Sequence, residues 1–159
     1  MNYHWPRFAL VFLLLTSLIA CDTQDQQEEF IRSADQVASG FTETTENGEI
    51  VSEDTDDWRT APVYIGSIRI DPAFPNPTAG EFVTIPLTVT LPGSIRGGLR
   101  ISAIDRNRRL LVLDELIEAS DPGAYVFQFS PLNLDAGLKR LFIFDGFGEL
   151  ISYGDLMIE

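Results

Sequence analysis

Residues 83–91, Val-Thr-Ile-Pro-Leu-Thr-Val-Thr-Leu, carry an aliphatic side chain at every odd position and Thr or Pro at every even one. Successive side chains of a strand point to opposite faces, so this alternation predicts a strand with one buried and one wet face. Pro86 has no N–H to give a ladder, which predicts an edge position or a bulge at that point. Further short β segments follow the same logic at 63–70, 98–105, 109–118, 123–130, 138–145 and 149–158, separated by turn residues. In 138–145 apolar residues fill both parities after Arg140, the pattern of a central strand covered on both sides. Gly93-Ser94-Ile95-Arg96-Gly97-Gly98 reads as a hairpin loop. About seven strands with regular turns predict an all-β fold, an antiparallel β-sandwich over residues 61–159.

The N-terminal pattern differs. Phe8 to Ala20 is a continuous apolar run broken only by Thr16 and Ser17. As a helix it would reach about 20 Å, short of the ~30 Å hydrocarbon core of a bilayer, so it reads as a signal-peptide core over residues 1–20. It ends in Leu18-Ile19-Ala20-Cys21, and Cys21 is the only cysteine. This resembles the lipobox of bacterial lipoproteins, which implies a lipid thioether on Cys21, cleavage before it, and acylation of the new amino group. One acyl chain holds a membrane only marginally, whereas two or three anchor firmly.

Residues 21–60 hold twelve acidic residues, two arginines (Arg32 and Arg59) and few apolar side chains. Such a stretch buries too little surface to offset its ordering entropy, which predicts a flexible acidic tether. Phe30, Ala34, Val37 and Phe41 recur at helical spacing, so a short helix over 26–40, ended by Gly40, is the one expected exception. Asp22, Asp25, Glu28 and Glu29 directly after Cys21 resemble the acidic export signals of Bacteroidota surface lipoproteins.

Charge and inventory narrow the chemistry. The chain has eleven basic and twenty-four acidic residues, a formal charge of −13, and Lys139 is its only lysine. That surface repels nucleic acid, so no nucleic-acid partner is expected. His4 is the only histidine and leaves with the signal peptide. Imidazole-dependent nucleophilic catalysis and ordinary zinc sites are thereby excluded from the processed chain. No phosphate loop or dinucleotide fingerprint occurs, and no cofactor or metal is expected. A carboxylate pair acting as in a glycosidase stays open by count alone.

Residues 101–116 and 141–156 echo each other without gaps, forty positions apart, with Asp105 matching Asp145. Each copy reads as strand, Asp-started turn, strand, because Asp at the first turn position accepts a nearby backbone N–H. A calcium site drawing on Asp105, Asn107 or Asp145 is the sharper alternative, although the dense acidic loop spacing is missing. Trp58, in Asp56-Asp57-Trp58-Arg59, is either an exposed interaction anchor or a cap on the open end of the core. Phe127, Phe129, Phe142, Phe144 and Tyr153 are expected in the core or its margins.

Phe74-Pro75-Asn76-Pro77, a Thr-rich strand, a strand–Asp-turn–strand unit, and Gly137-Leu138-Lys139 before a last hairpin resemble a known layout. It is that of the immunoglobulin-like sandwiches of flagellar hook-capping proteins and of the C-terminal sorting domains of type IX secretion. The resemblance covers 74–159 and implies an immunoglobulin-like fold. It departs at Arg106-Asn107-Arg108, where the family has Gly, and in carrying a lipobox ahead of a tether. The expectation is a non-catalytic envelope lipoprotein, outer membrane favoured, that presents an immunoglobulin-like interaction module to an unknown envelope protein. The alternatives are a type IX secretion cargo or component, and a carboxylate-based hydrolase.

Overall fold

The computed structural model of the protein describes residues 23–105 and 108–159; residues 1–22, with Cys21, and Arg106 and Asn107 lie outside the described residues. The chain divides into two units, residues 1–35 and 36–159. In the first, residues 23–34 form a helix, α1, with Phe30 and Ala34 buried one turn apart and Ile31 exposed. Asp25 in its first turn complements the positive end of the helix dipole. The helix expected over 26–40 thus exists but sits further toward the N-terminus. Val37 lies beyond it and is 91% exposed, and Gly40 does not end it.

The second unit is all-β and antiparallel, a sandwich with more strands than the seven expected. Among the described residues there are ten: β1 Glu43–Thr44, β2 Ile50–Ser52, β3 Arg59–Thr60, β4 Ile68–Ile70, β5 Val83–Val89, β6 Leu99–Ile104, β7 Leu110–Leu116, β8 Gly123–Phe129, β9 Gly137–Asp145 and β10 Leu150–Ile158. One sheet has the order β3-β10-β9-β6-β7, the other β4-β5-β8, and β1 and β2 form a separate hairpin. The seven expected strands are β4 to β10, while residues 62–64 form a 3-10 turn ahead of β4.

The alternation in β5 is observed as drawn: Val83, Ile85, Leu87 and Val89 are buried, whereas Thr88 is exposed. They join Phe127 and Phe129 of β8, and Ile101, Ala103, Leu141, Ile143 and Leu156 of the larger sheet, in one core. Every one of these side chains is at most 3% exposed, which marks the layer where most of the apolar stabilisation resides.

Two expectations about β5 need correction. It is the central strand of its sheet, not an edge, and it pairs in regular register with both neighbours. Pro86 is accommodated because its ring nitrogen faces the side where β4 has ended. There Asp71 N–H donates to Pro86 O at 2.9 Å, and the next bridge on that side is Thr84 with Phe74. The cost is confined to the reciprocal bond to Asp71 O, at the point where that ladder ends. Residues 93–98 likewise join strands of different sheets instead of closing a hairpin. Gly98 sits there at φ +80°, and a Cβ would meet Leu116 O at 2.6 Å, so only glycine lets this crossover lie against the end of β7.

The largest correction concerns 21–60. Residues 42–60 are not a tether but a strap built into the sandwich. β3 extends the larger sheet by pairing Arg59 and Thr60 with Tyr153 and Ser152, and Thr44 bridges Asn76. Trp58 is 6% exposed and belongs to the core. An expectation based on apolar content missed this segment because polar groups hold most of it.

Candidate functional site

The strap closes the open edge of β10. Beyond β3 that edge presents the N–H groups of Asp155 and Met157, and side chains take both. Asp57 Oδ1 accepts from Asp155 N–H at 2.8 Å, and Asn76 Oδ1 accepts from Met157 N–H at 2.9 Å. Asp57 Oδ2 also accepts from Thr42 N–H at 2.7 Å, and Asn76 Nδ2 donates to Thr42 O and Asp155 O at 2.8 and 3.0 Å. Asn76 is fully buried with its amide satisfied on both ends, so the Pro-Asn-Pro segment serves as a clamp between strap and last strand. At the opposite seam, Asp114 Oδ2 accepts Gln128 N–H from the edge of β8 at 2.8 Å. Unpaired strand edges invite pairing with other chains, and these carboxylate and amide groups remove that liability.

An ion pair lies beside the clamp. Arg140 Nε and Nη2 each donate to Asp155 at 2.8 Å, its Nη1 donates to Gln36 O, and its guanidinium stacks 4.8 Å from the Tyr153 ring centre. The Asp155 pair raises the Arg140 pKa further. Among the described residues no cation pairs with Asp57. Burial, helped by the charges of Asp155 and Asp54, pushes its carboxyl up from 3.8 to about 7 against the pull of its two backbone donors. Trp58 follows at φ +56°, a left-handed backbone uncommon for a bulky residue. It is held by Trp58 N–H to Tyr153 O at 2.9 Å and by its ring lying against Gly154. Trp58 is therefore a core residue, and the alternative of an exposed interaction anchor is set aside.

At one end of the sandwich, Ile104, Asp105, Leu132, Asn133, Leu134, Asp135 and Lys139 line a cleft of about 430 Å³. Lys139 stands opposite Leu156 in the β9–β10 register, half-buried, and its ammonium makes no ion pair or hydrogen bond among the described residues. Asp105 Oδ1 is committed to its own turn, where it accepts Arg109 N–H at 2.8 Å. The matching turn repeats this chemistry, with Asp145 Oδ1 accepting Phe147 and Glu149 N–H at 2.9 and 3.0 Å. The echo in the sequence is thus one turn used twice, with Arg108 and Gly148 at positive φ in equivalent places.

Leu99 pairs with Asp145 and Ala103 with Leu141, so Asp105 and Asp145 lie at opposite ends of the sheet and share no cation. Among the described residues no group of three or more His, Cys, Asp or Glu is placed to hold a metal. Around Asp145, Arg96 Nε stands 3.9 Å from Oδ2 while its guanidinium lies 5.0 Å from the exposed Phe147 ring. Burial first, and then the charges of Asp145 and Glu149, push the Tyr64 phenol up.

No protein-family model, curated protein or solved structure matches this chain. The described helix is not long and apolar enough to cross a membrane. Of the residues singled out from sequence, Cys21 lies outside the described residues and Trp58 is core. The clamp residues Asp57 and Asn76 and the cleft-lining Lys139 were missed as functional groups. Only the Pro-Asn-Pro motif and the uniqueness of the lysine marked two of them.

Proposed function

We propose that the protein is a lipid-anchored lipoprotein of the bacterial cell envelope whose sandwich is a non-catalytic interaction module. The observation that carries this reading is a lone cysteine, Cys21, at the end of an apolar run too short to span a bilayer. The acidic surface, −13 formally, supports a protein partner over nucleic acid. The outer membrane is the favoured location. Cys21→Ala tests the anchor: the variant should move from the membrane to the soluble fraction and lose the lipid mass. Retention in membranes at unchanged mass would refute the reading. A cross-linking pull-down from intact envelopes is the complementary search for the partner.

Two other readings each have an observation in favour. The Phe74-Pro75-Asn76-Pro77 resemblance favours a type IX secretion role, with an immunoglobulin-like domain as the sorting element; proteolytic removal of 74–159 during export would support it. The shared cleft of Asp105 and Asp135 favours a carboxylate-based hydrolase. The commitment of Asp105 to its turn weighs against that second reading. Asp135→Asn should abolish any glycosidase activity detected if that reading holds.

A further inference from the structure

β2 is left open where the edges of β10 and β8 are closed. Among the described residues it is the only strand whose residues are all exposed, with Ile50 at 52% and Val51 at 59%. Thr44 spends both its N–H and its C=O on Asn76, so in the Thr44–Ile50 pair the backbone groups point away from each other. The N–H and C=O of Ile50 therefore face outward along the free edge of β2. The flanks carry one sign only: Glu43, Glu46, Glu49 and Glu53, with no Lys or Arg between Arg32 and Arg59.

From this edge we infer that β2 is a docking strand for an extended partner segment with an apolar centre and Lys or Arg on both sides. The inference rests on the interaction-module reading and names the chemistry of the partner. Main-chain bonds to Ile50 supply attachment, the side chains of Ile50 and Val51 cover the apolar centre, and the glutamates select the basic flanks. A second copy of this chain is the wrong occupant. Antiparallel pairing of β2 with itself about Val51 sets Glu49 against Glu53 of the other copy, and like charges directly opposite are destabilising.

The test uses the full chain in detergent and two capped peptides of alternating valine and threonine, one flanked by lysine pairs and one by glutamate pairs. The lysine-flanked peptide should bind, protect amides of 43–54 from hydrogen exchange, and weaken as salt rises. Ile50→Pro removes an N–H that the hairpin does not use, and it should weaken binding at least about tenfold with the melting temperature preserved. Glu49→Lys with Glu53→Lys should reverse the preference toward the glutamate-flanked peptide. Equal binding of both peptides, no binding of either, protection outside 43–54, self-association, or adsorption to lipid vesicles in place of the peptide would each overturn the inference. An envelope partner captured equally well by wild type and Ile50→Pro would remove this docking strand while leaving the interaction-module reading intact.

Discussion

Gly154→Ala probes how the strap is seated. Gly154 lies opposite Leu141 in β10 and faces the core, where a Cβ would overlap Cδ2 and Cε2 of Trp58 and come within 2.8 Å of Cε3. The ring must therefore leave its site, which is now 6% exposed. Removing a buried Trp outright costs about 3–5 kcal/mol. Displacing it forfeits most of that, and a strand glycine replaced by alanine returns about 0.5–1 kcal/mol. The net loss should be about 2–3 kcal/mol out of a total stability of ~5–15 kcal/mol. Urea denaturation measures it. In a form beginning at residue 21, Trp58 is the only tryptophan, so its emission should shift red in the folded variant. The decisive comparison is a double-mutant cycle: with Trp58→Ala already in place, Gly154→Ala should cost less than about 0.5 kcal/mol. Equal cost in both backgrounds, or an unchanged emission maximum, would show that Gly154 is not what seats the indole.

Two further outcomes follow from the clamp. Asn76→Ala strands Thr42 O, Asp155 O and Met157 N–H in a buried site. It should cost about 3–5 kcal/mol, seen as a fall in Tm of about 10 °C or more and faster exchange of the Met157 amide. Asp57 should make the strap more stable in mild acid. Its folded pKa of about 7 lies above the ordinary 3.8, so the folded form binds the proton more tightly. That contribution is fully present below pH 3.8 and is lost as pH rises through 7. The slope ceiling is about 1.4 kcal/mol per pH unit, and partial contact with water roughly halves it. Urea midpoints between pH 5 and 8 should flatten in Asp57→Asn; an unchanged slope would refute the assignment.

The parts of the fold that were legible in sequence are those held by apolar periodicity. β5 announces its two faces through Val83, Ile85, Leu87 and Val89, and five of the six other expected strands lie within two residues of their expected starts; the exception is β4, whose first residues form a turn. Pro86 was misjudged because a proline forbids a donor on one side only, and sequence does not say which side has a neighbour. The strap was illegible for a different reason. Thr42, Thr44, Asp57 and Asn76 are attached by hydrogen bonds to residues far along the chain, and such pairings leave no local period. Trp58 carried a real signal, but an aromatic beside three aspartates does not reveal whether it faces solvent or core. The cleft around Lys139 depends on a loop, a turn and a strand end meeting in space, and only the rarity of lysine hinted at it.

The bond from Asp155 N–H to Asp57 joins residues 98 positions apart, and β10 lies between β3 and β9 inside the larger sheet. During synthesis the Thr42–Thr44 part of the strap meets Ala73 and Asn76 early, whereas the Asp57–Thr60 part waits for nearly the whole of 61–154 to emerge before it finds its partner. Loops of this length close slowly, since their entropy is spent before any contact rewards it. A nascent chain halted short of β10 would expose an unfinished sheet and the indole of Trp58 together. Until β10 docks, β9 and β3 have no strand between them and the larger sheet cannot be completed.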